Sequence, residues 1–147
     1  MIEFELLSKD NIVEIWELEK ICFDDPWSYN SFERELDNNI SVYIVARAVE
    51  TRKVVGYGGI WLMYDYADIT NIAVSPESRR CGLGGKILQL LIDISSEKNM
   101  ESINLEVRAS NIPAIRLYEK YGFSQNGLRK RYYKGKEDAV LMTKTLN

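Results

Sequence analysis

The stretch NIAVSPESRRCGLGG, from Asn71 to Gly85, decides the fold. It begins inside ADITNIAV (Ala67 to Val74), a run rich in apolar and β-branched residues that predicts a strand. The polar loop SPESRRCGLGG follows, and beyond it Ile87, Leu88, Leu91 and Ile94 recur at helical spacing. A loop of this kind can converge backbone N–H groups on an anion. A helix N-terminus offers unpaired donors and the positive end of the dipole, and glycines admit a close approach. Two familiar phosphate loops fail the test of spacing. G-x-G-x-x-G starting at Gly82 needs glycine where Ile87 stands, and a Walker A loop ending at Gly85-Lys86 needs glycine at Arg80 and Ser or Thr at Ile87. What remains is Arg79-x-x-Gly82-x-Gly84, which the loop alone leaves open between an anion cradle and a flexible turn that caps a helix.

Outward from the loop, the pattern predicts alternating elements. Ile2 to Leu7 reads as a first strand, and Ser8 or Asp10 caps a helix carrying Ile12, Ile15, Trp16 and Leu18. DDPWS breaks that helix, and Ser28 caps a second, short one through Phe32 and Leu36. SVYIVARAV and VVGYGGIWLM are strands around the turn ETRK. After the loop and its helix come the strand INLEV and the helix IPAIRLYEKYG, closed by Gly122 as C-cap. FSQNGLRKRYYKGKEDAVLMTKTL reads as a closing hairpin turning at KGK, and KTLN as a solvated tail. The order βαα, three strands, α, β, α, two strands predicts a mixed sheet flanked by helices, one α/β domain over residues 1–147.

Composition narrows the chemistry. The chain has 147 residues, enough for one domain with a real core, and 46% apolar with 28% charged residues is ordinary for a soluble protein. A net charge of -3 argues against a nucleic-acid surface and leaves room for a basic peptide partner. With no histidine at all, imidazole-based nucleophilic pairs and histidine-built catalytic zinc sites are excluded. Cys22 and Cys81 show no metal-ligand spacing, so no metal is expected and free thiols in the cytoplasm are the simple reading. The acidic start MIEFELLSKD is unlike a signal peptide, and no apolar run reaches the roughly 20 residues of a membrane span.

Against that background the stretch LEVRASNIPAIRLYEKYGF, Leu105 to Phe123, stands out. Ile103, Leu105 and Val107 alternate to one face of the strand, leaving Asn104, Glu106 and Arg108 on the other. Ser110 or Asn111 caps the helix, with Pro113 tolerated in its first turn. Tyr118 shares an inward stripe with Ile115 and Tyr121. Taken singly, Glu106 reads as a solvated strand end and Tyr118 as a core aromatic.

Together, these segments resemble a known family. Arg79-x-x-Gly82-x-Gly84, after a strand ending in Val74-x-Pro76, resembles the pyrophosphate motif of the GCN5-related N-acetyltransferase superfamily. LEVRASN, AIRLYE and GF, with FxxPWS (Phe23 to Ser28) and RKRYYKGKEDAVLM (Arg129 to Met142), resemble its RimI-type branch, the ribosomal-protein N-terminal alanine acetyltransferases. The resemblance covers nearly the whole chain. It implies a single-domain fold with a mixed, mostly antiparallel sheet of about seven strands and about four helices. It implies acetyl-CoA as cosubstrate, held by the backbone of Ile72, Ala73 and Val74, by the loop Arg79, Arg80, Cys81, Gly82, Leu83, Gly84 and Gly85, and by Asn111. It gives Glu106 the role of proton acceptor and Tyr118 that of proton donor. Phe23–Trp27 and Met63–Tyr66 would flank the acceptor groove, with Trp27, Tyr64, Asp65 and Tyr132 as substrate contacts and Tyr133 nearby. Asp24, Asp25, Asp65 and Asp68 would attract the basic N-terminal peptide of a ribosomal protein.

The chemistry fits a chain without histidine. A peptide α-amine has a pKa near 7.7–8.0, so about a tenth is neutral at pH 7, and a carboxylate can take its proton. A thiolate leaving group is slightly less basic than a phenolate, so a tyrosine hydroxyl can stabilise or protonate it. Cys81 would offer its N–H and not its thiol. The same machinery could serve a small amine or a lysine. A non-catalytic acyl-CoA sensor is the rival from another class, disfavoured by the presence of both Glu106 and Tyr118.

Overall fold

Seven strands form one sheet in the computed structural model, which describes residues 1–133 and 135–146. In chain order the elements are β1 (Ile2–Leu6), α1 (Ile12–Cys22), α2 (Tyr29–Glu35), β2 (Ser41–Ala48), β3 (Val54–Leu62), β4 (Tyr66–Val74), α3 (Leu83–Glu97), β5 (Ser102–Arg108), α4 (Ile112–Lys120), β6 (Ser124–Tyr133) and β7 (Glu137–Thr145). The strand order is β1-β2-β3-β4-β5-β7-β6. β4 and β5 are parallel, whereas β1–β2, β2–β3, β5–β7 and β7–β6 are antiparallel. The expected mixed sheet with about seven strands and four helices is what forms. The β4–β5 ladder is short, running only from Tyr66↔Ser102 to Asp68↔Asn104. One edge of Ile69–Val74 therefore lies outside that ladder. No helix among the described residues is long and apolar enough to cross a membrane.

The chain divides into two compact units, Met1–Trp61 with Thr70–Leu91, and Leu62–Ile69 with the residues from Ile92 onward. In the first, the apolar stripe of α1 (Ile12, Ile15, Leu18) packs on Phe32 of α2, Tyr43 and Val45 of β2, Tyr57 of β3 and Ala73 of β4. Phe32 meets Tyr43 and Tyr57 edge-on, with ring centroids 6.2 and 5.9 Å away, the geometry aromatic quadrupoles favour. The glycines of β3 let neighbours rest on bare backbone. A Cβ on Gly58 would lie 2.5 Å from Ile87 of α3, and one on Gly59 within 2.3 to 2.6 Å of the Tyr43 ring.

In the second unit, Ile103, Leu105 and Val107 are buried while Asn104, Glu106 and Arg108 keep partial exposure, the alternation the sequence predicts. Val140 and Met142 of β7, Ile115 of α4 and Phe123 are buried with them.

β1, β2 and β3 each end one residue before the expected Leu7, Val49 and Met63, and three helix boundaries differ from expectation. α1 starts after Asn11, not Ser8 or Asp10, because the Ser8 carbonyl takes the Asn11 and Ile12 amides while the Asn11 carboxamide bonds Ser8 N and Leu6 O. α3 starts at Leu83, so Leu83, Gly84 and Gly85 are helical and not loop. α4 has Tyr121 as its C-cap, and Gly122 is the next residue, in the left-handed region at φ +96°. The expected turn at KGK includes Lys134 and the expected tail includes Asn147, both outside the described residues.

Candidate active site

In the first unit, β4 runs into a tight 3-10 turn at Pro76–Ser78 and then into α3. Arg80 (φ +68°) and Gly82 (φ +82°) both adopt the left-handed region, which folds the chain back sharply enough to start the helix at once. The first α-helical bond there is Lys86 N to Gly82 O at 3.1 Å. The amides of Leu83, Gly84 and Gly85 in the first turn consequently have no partner within the helix and point out of its positive end. The buried Leu83 side chain anchors that turn, and a Cβ built on Gly82 meets nothing within 4 Å, so the approach is open. A helix start of this kind can accept an anion.

Arg79 does something the sequence did not suggest. Its Nε donates to the Val74 carbonyl at 3.0 Å, and its Nη2 lies 3.7 Å from the Cys22 sulfur. The guanidinium thus ties the loop to the end of β4. Burial pushes the Cys22 thiol pKa up, with Arg79 opposing. Cys81 is exposed, and its thiol donates to the Ser78 carbonyl. Trp27 is half-buried against Phe32 and Tyr43, with centroids 5.3 and 6.4 Å away. Asp24 and Asp25 beside it are exposed.

In the second unit, Glu106 sits on the polar face of β5, and its Oε1 is 3.1 Å from Nη2 of Arg129 on β6. Arg129 also stacks on Tyr132, with the guanidinium 4.8 Å from the ring centroid. Tyr132 in turn meets Tyr133 at 5.1 Å. Two expected site residues, Glu106 and Tyr132, are therefore brought together by a third, Arg129, that sequence reasoning missed. Asp68 lies on the same side of the β4–β5 ladder. Burial raises its pKa, Asn104 opposes by hydrogen bonding, and the charge of Glu106 adds to the rise.

Tyr118 is placed by the end of α4. Phe123 N donates to Tyr118 O at 3.0 Å and Gly122 N to Glu119 O at 3.0 Å, the paired bonds of a Schellman motif. The accompanying apolar contact is Tyr118 against Phe123, with centroids 5.9 Å apart. Desolvation, with a smaller contribution from Tyr133, pushes the Tyr118 phenol up to about 12, so it is a protonated donor at any physiological pH. Burial, then the charge of Glu106, likewise pushes Tyr133 up to about 12. At the start of α4, Asn111 Oδ1 caps Ala114 N at 3.3 Å. Glu137 accepts from Ser110 N at 2.8 Å and from Arg108 at 3.2 Å, which fixes the β5–α4 turn and holds the Glu137 pKa down.

The remaining expected contacts are less engaged. Tyr64 is 96% exposed, and the Asp65 carbonyl accepts the Glu101 amide at 2.6 Å. Among the described residues, no group of three or more Cys, Asp or Glu side chains could hold a metal ion.

The first unit thus offers an anion-accepting helix start, and the second a partly exposed carboxylate and a desolvated phenol, groups that acyl transfer can use. The chain belongs to the acetyltransferase (GNAT) family, whose model matches residues 12–123. A Bacillus subtilis relative, provisionally named a ribosomal protein bS18-alanine N-acetyltransferase, is 39% identical over 94% of this chain and 91% of its own. The Salmonella typhimurium protein of that name is 33% identical over 97% of this chain and 96% of its own. The crystal structure of the ribosomal-protein-S18-alanine N-acetyltransferase from Escherichia coli superposes with a TM-score of 0.91 at 30% identity, covering 100% of this chain and 95% of that one.

Proposed function

We propose that the chain transfers the acetyl group of acetyl-CoA to the N-terminal α-amine of a ribosomal protein that begins with alanine and continues with basic residues. One observation carries this reading: relatives named ribosomal protein bS18-alanine N-acetyltransferase are 33% and 39% identical across 94–97% of the chain. The whole chain then serves as one N-acetyltransferase domain, and the cytoplasm, where ribosomal proteins are made, is its place of work.

Acetyl-CoA supplies an acetyl group activated as a thioester. The first-turn amides of Leu83, Gly84 and Gly85, with Arg80, Cys81 and Gly82, would hold its diphosphate. Backbone groups of Ile72, Ala73 and Val74 would take the amides of its arm, and Asn111 would add a contact. Arg79 supports this loop from behind, through Val74. Glu106 would take the proton lost by the attacking amine as the C–N bond forms. Tyr118 would give a proton to sulfur as the C–S bond breaks, and its raised pKa keeps that proton available. Trp27, Tyr64, Asp65 and Tyr132 would line the acceptor side. The test is an acceptor screen with labelled acetyl-CoA, comparing alanine-first basic peptides with other first residues, lysine peptides and polyamines. Preference for the α-amine of the alanine-first peptide is expected. Preferred labelling of lysine side chains or polyamines would overturn the assignment.

A further inference from the structure

Glu19, near the end of α1, is 2% exposed and carries a carboxylate that the proposed chemistry does not use. Its Oε2 accepts the Trp27 amide at 2.8 Å, and its Oε1 accepts the Tyr57 hydroxyl and, at 3.0 Å, the Asn71 side-chain amide. Its own backbone carbonyl accepts the Phe23 amide at 3.0 Å. One residue therefore closes both ends of the loop Phe23–Trp27, one with its main chain and the other with its side chain. Among the described residues no Lys or Arg pairs with it. A buried carboxylate without a counter-ion is costly, and three donors aimed at it are what make it tolerable.

The charge also fixes direction. With the Asn71 nitrogen facing Glu19, its oxygen faces the Tyr43 hydroxyl, which donates to it at 3.0 Å. Burial, then the nearby Glu19 charge, pushes the Tyr57 phenol pKa well above the ordinary range and keeps it a donor. Tyr43 is the ring on which Trp27 packs, and Asn71 directly precedes Ile72–Val74. The carboxylate thus orders both the backbone of the loop and the seat of its tryptophan.

We propose that Glu19 is a positioning residue for the acceptor, holding the Phe23–Trp27 loop in the one conformation that grips the incoming peptide. This rests on the reading that the loop flanks the acceptor groove. A positioning role of this kind acts on substrate binding and not on the proton transfers, so it should separate KM from kcat.

The test uses Glu19→Gln and Tyr57→Phe in the full chain. Glu19→Gln keeps the volume but turns one donor-facing oxygen into a donor. Tyr57→Phe removes a single hydrogen bond and nothing else. In Glu19→Gln the KM for the alanine-first peptide should rise about tenfold, the size of one weakened charge-assisted bond, and in Tyr57→Phe by about threefold. The kcat should stay within about twofold, since neither proton-transfer group is touched. Amide hydrogen exchange at Trp27 should quicken by about tenfold in Glu19→Gln, following the same bond. Two results would overturn the proposal: unchanged peptide KM with only a lower melting temperature, or unchanged exchange at Trp27. If Glu19→Gln does not fold, Tyr57→Phe carries the same outcomes. If the native enzyme ignores peptides, the proposed acceptor is wrong. Glu19 is then judged by Trp27 exchange and by the KM of whichever amine the enzyme acetylates.

Discussion

Glu19 and Glu106 are the same side chain in opposite settings. Glu19 is sealed in the first unit with three donors fixed on it, whereas Glu106 keeps partial exposure on the polar face of β5 in the second, paired with a half-exposed arginine at 3.1 Å. The proton-accepting role proposed for Glu106 asks for the second setting, where a carboxylate can exchange partners. A carboxylate that must hold a loop still needs the first. The contrast separates shape from chemistry, and each of its parts can be broken by mutation.

The largest expected effect is on the chemical side. Tyr118→Phe keeps the ring that completes the Schellman motif with Phe123, so the fold and cofactor affinity should survive. Turnover should fall by about 10²–10⁴-fold, the range of a lost general acid. Because burial pushes this phenol up to about 12, the proton is present throughout pH 6.5–9.5 and the defect should be flat there. Near-normal turnover would return Tyr118 to a packing role.

Next comes the structural side. Glu19→Ala strands the Trp27 amide, the Tyr57 hydroxyl and the Asn71 amide in the interior. Unfolding in urea should show a loss of about 2–4 kcal/mol, the scale of buried donors left unpaired. The same substitution at Glu106 should cost little by that measure, and equal losses would erase the comparison.

Gly84→Asp places a side chain and a negative charge in the first turn of α3. Acetyl-CoA at 100 times its dissociation constant should stabilise the native protein by about 2.7 kcal/mol, and the variant should lose most of that. Retention of the ligand-induced rise in melting temperature would remove the loop from the cofactor site.

The smallest effect belongs to Arg129→Ala. Its partner Glu106 and its own guanidinium are both partly exposed, so the pair should contribute under about 1 kcal/mol to stability. Screening over about 8 Å at physiological ionic strength should shrink the difference further as salt is added. A loss of several kcal/mol would mean that Glu106 is held as firmly as Glu19.

Local periodicity made much of this legible. The alternation of Ile103, Leu105 and Val107 exposes Glu106 on the opposite face, and a strand needs only its own period of two to show that. The helix start at Leu83 was obscured because glycines read as loop, while two left-handed residues, Arg80 and Gly82, made the turn compact. Glu19 left a faint signal, four residues after Ile15 on the buried stripe of α1. Its partners Tyr57 and Asn71 lie 38 and 52 residues away, beyond any local pattern. Arg129 was hidden for the same reason, since it reaches Glu106 only once β6 and β5 flank β7. Charges that act at long range in sequence need the fold before they can be paired.

The measurement that bears most directly on the central claim is the pH dependence of Glu106→Gln. Turnover with an alanine-first basic peptide would be followed from pH 6.5 to 9.5, beside the native enzyme. If Glu106 takes the amine proton, the variant is most defective at pH 6.5 and recovers toward pH 9.5, where the α-amine, with a pKa near 7.7–8.0, is already neutral. A defect of the same size at every pH would contradict the account, leaving Glu106 to orient the substrate while another group or the solvent accepts the proton.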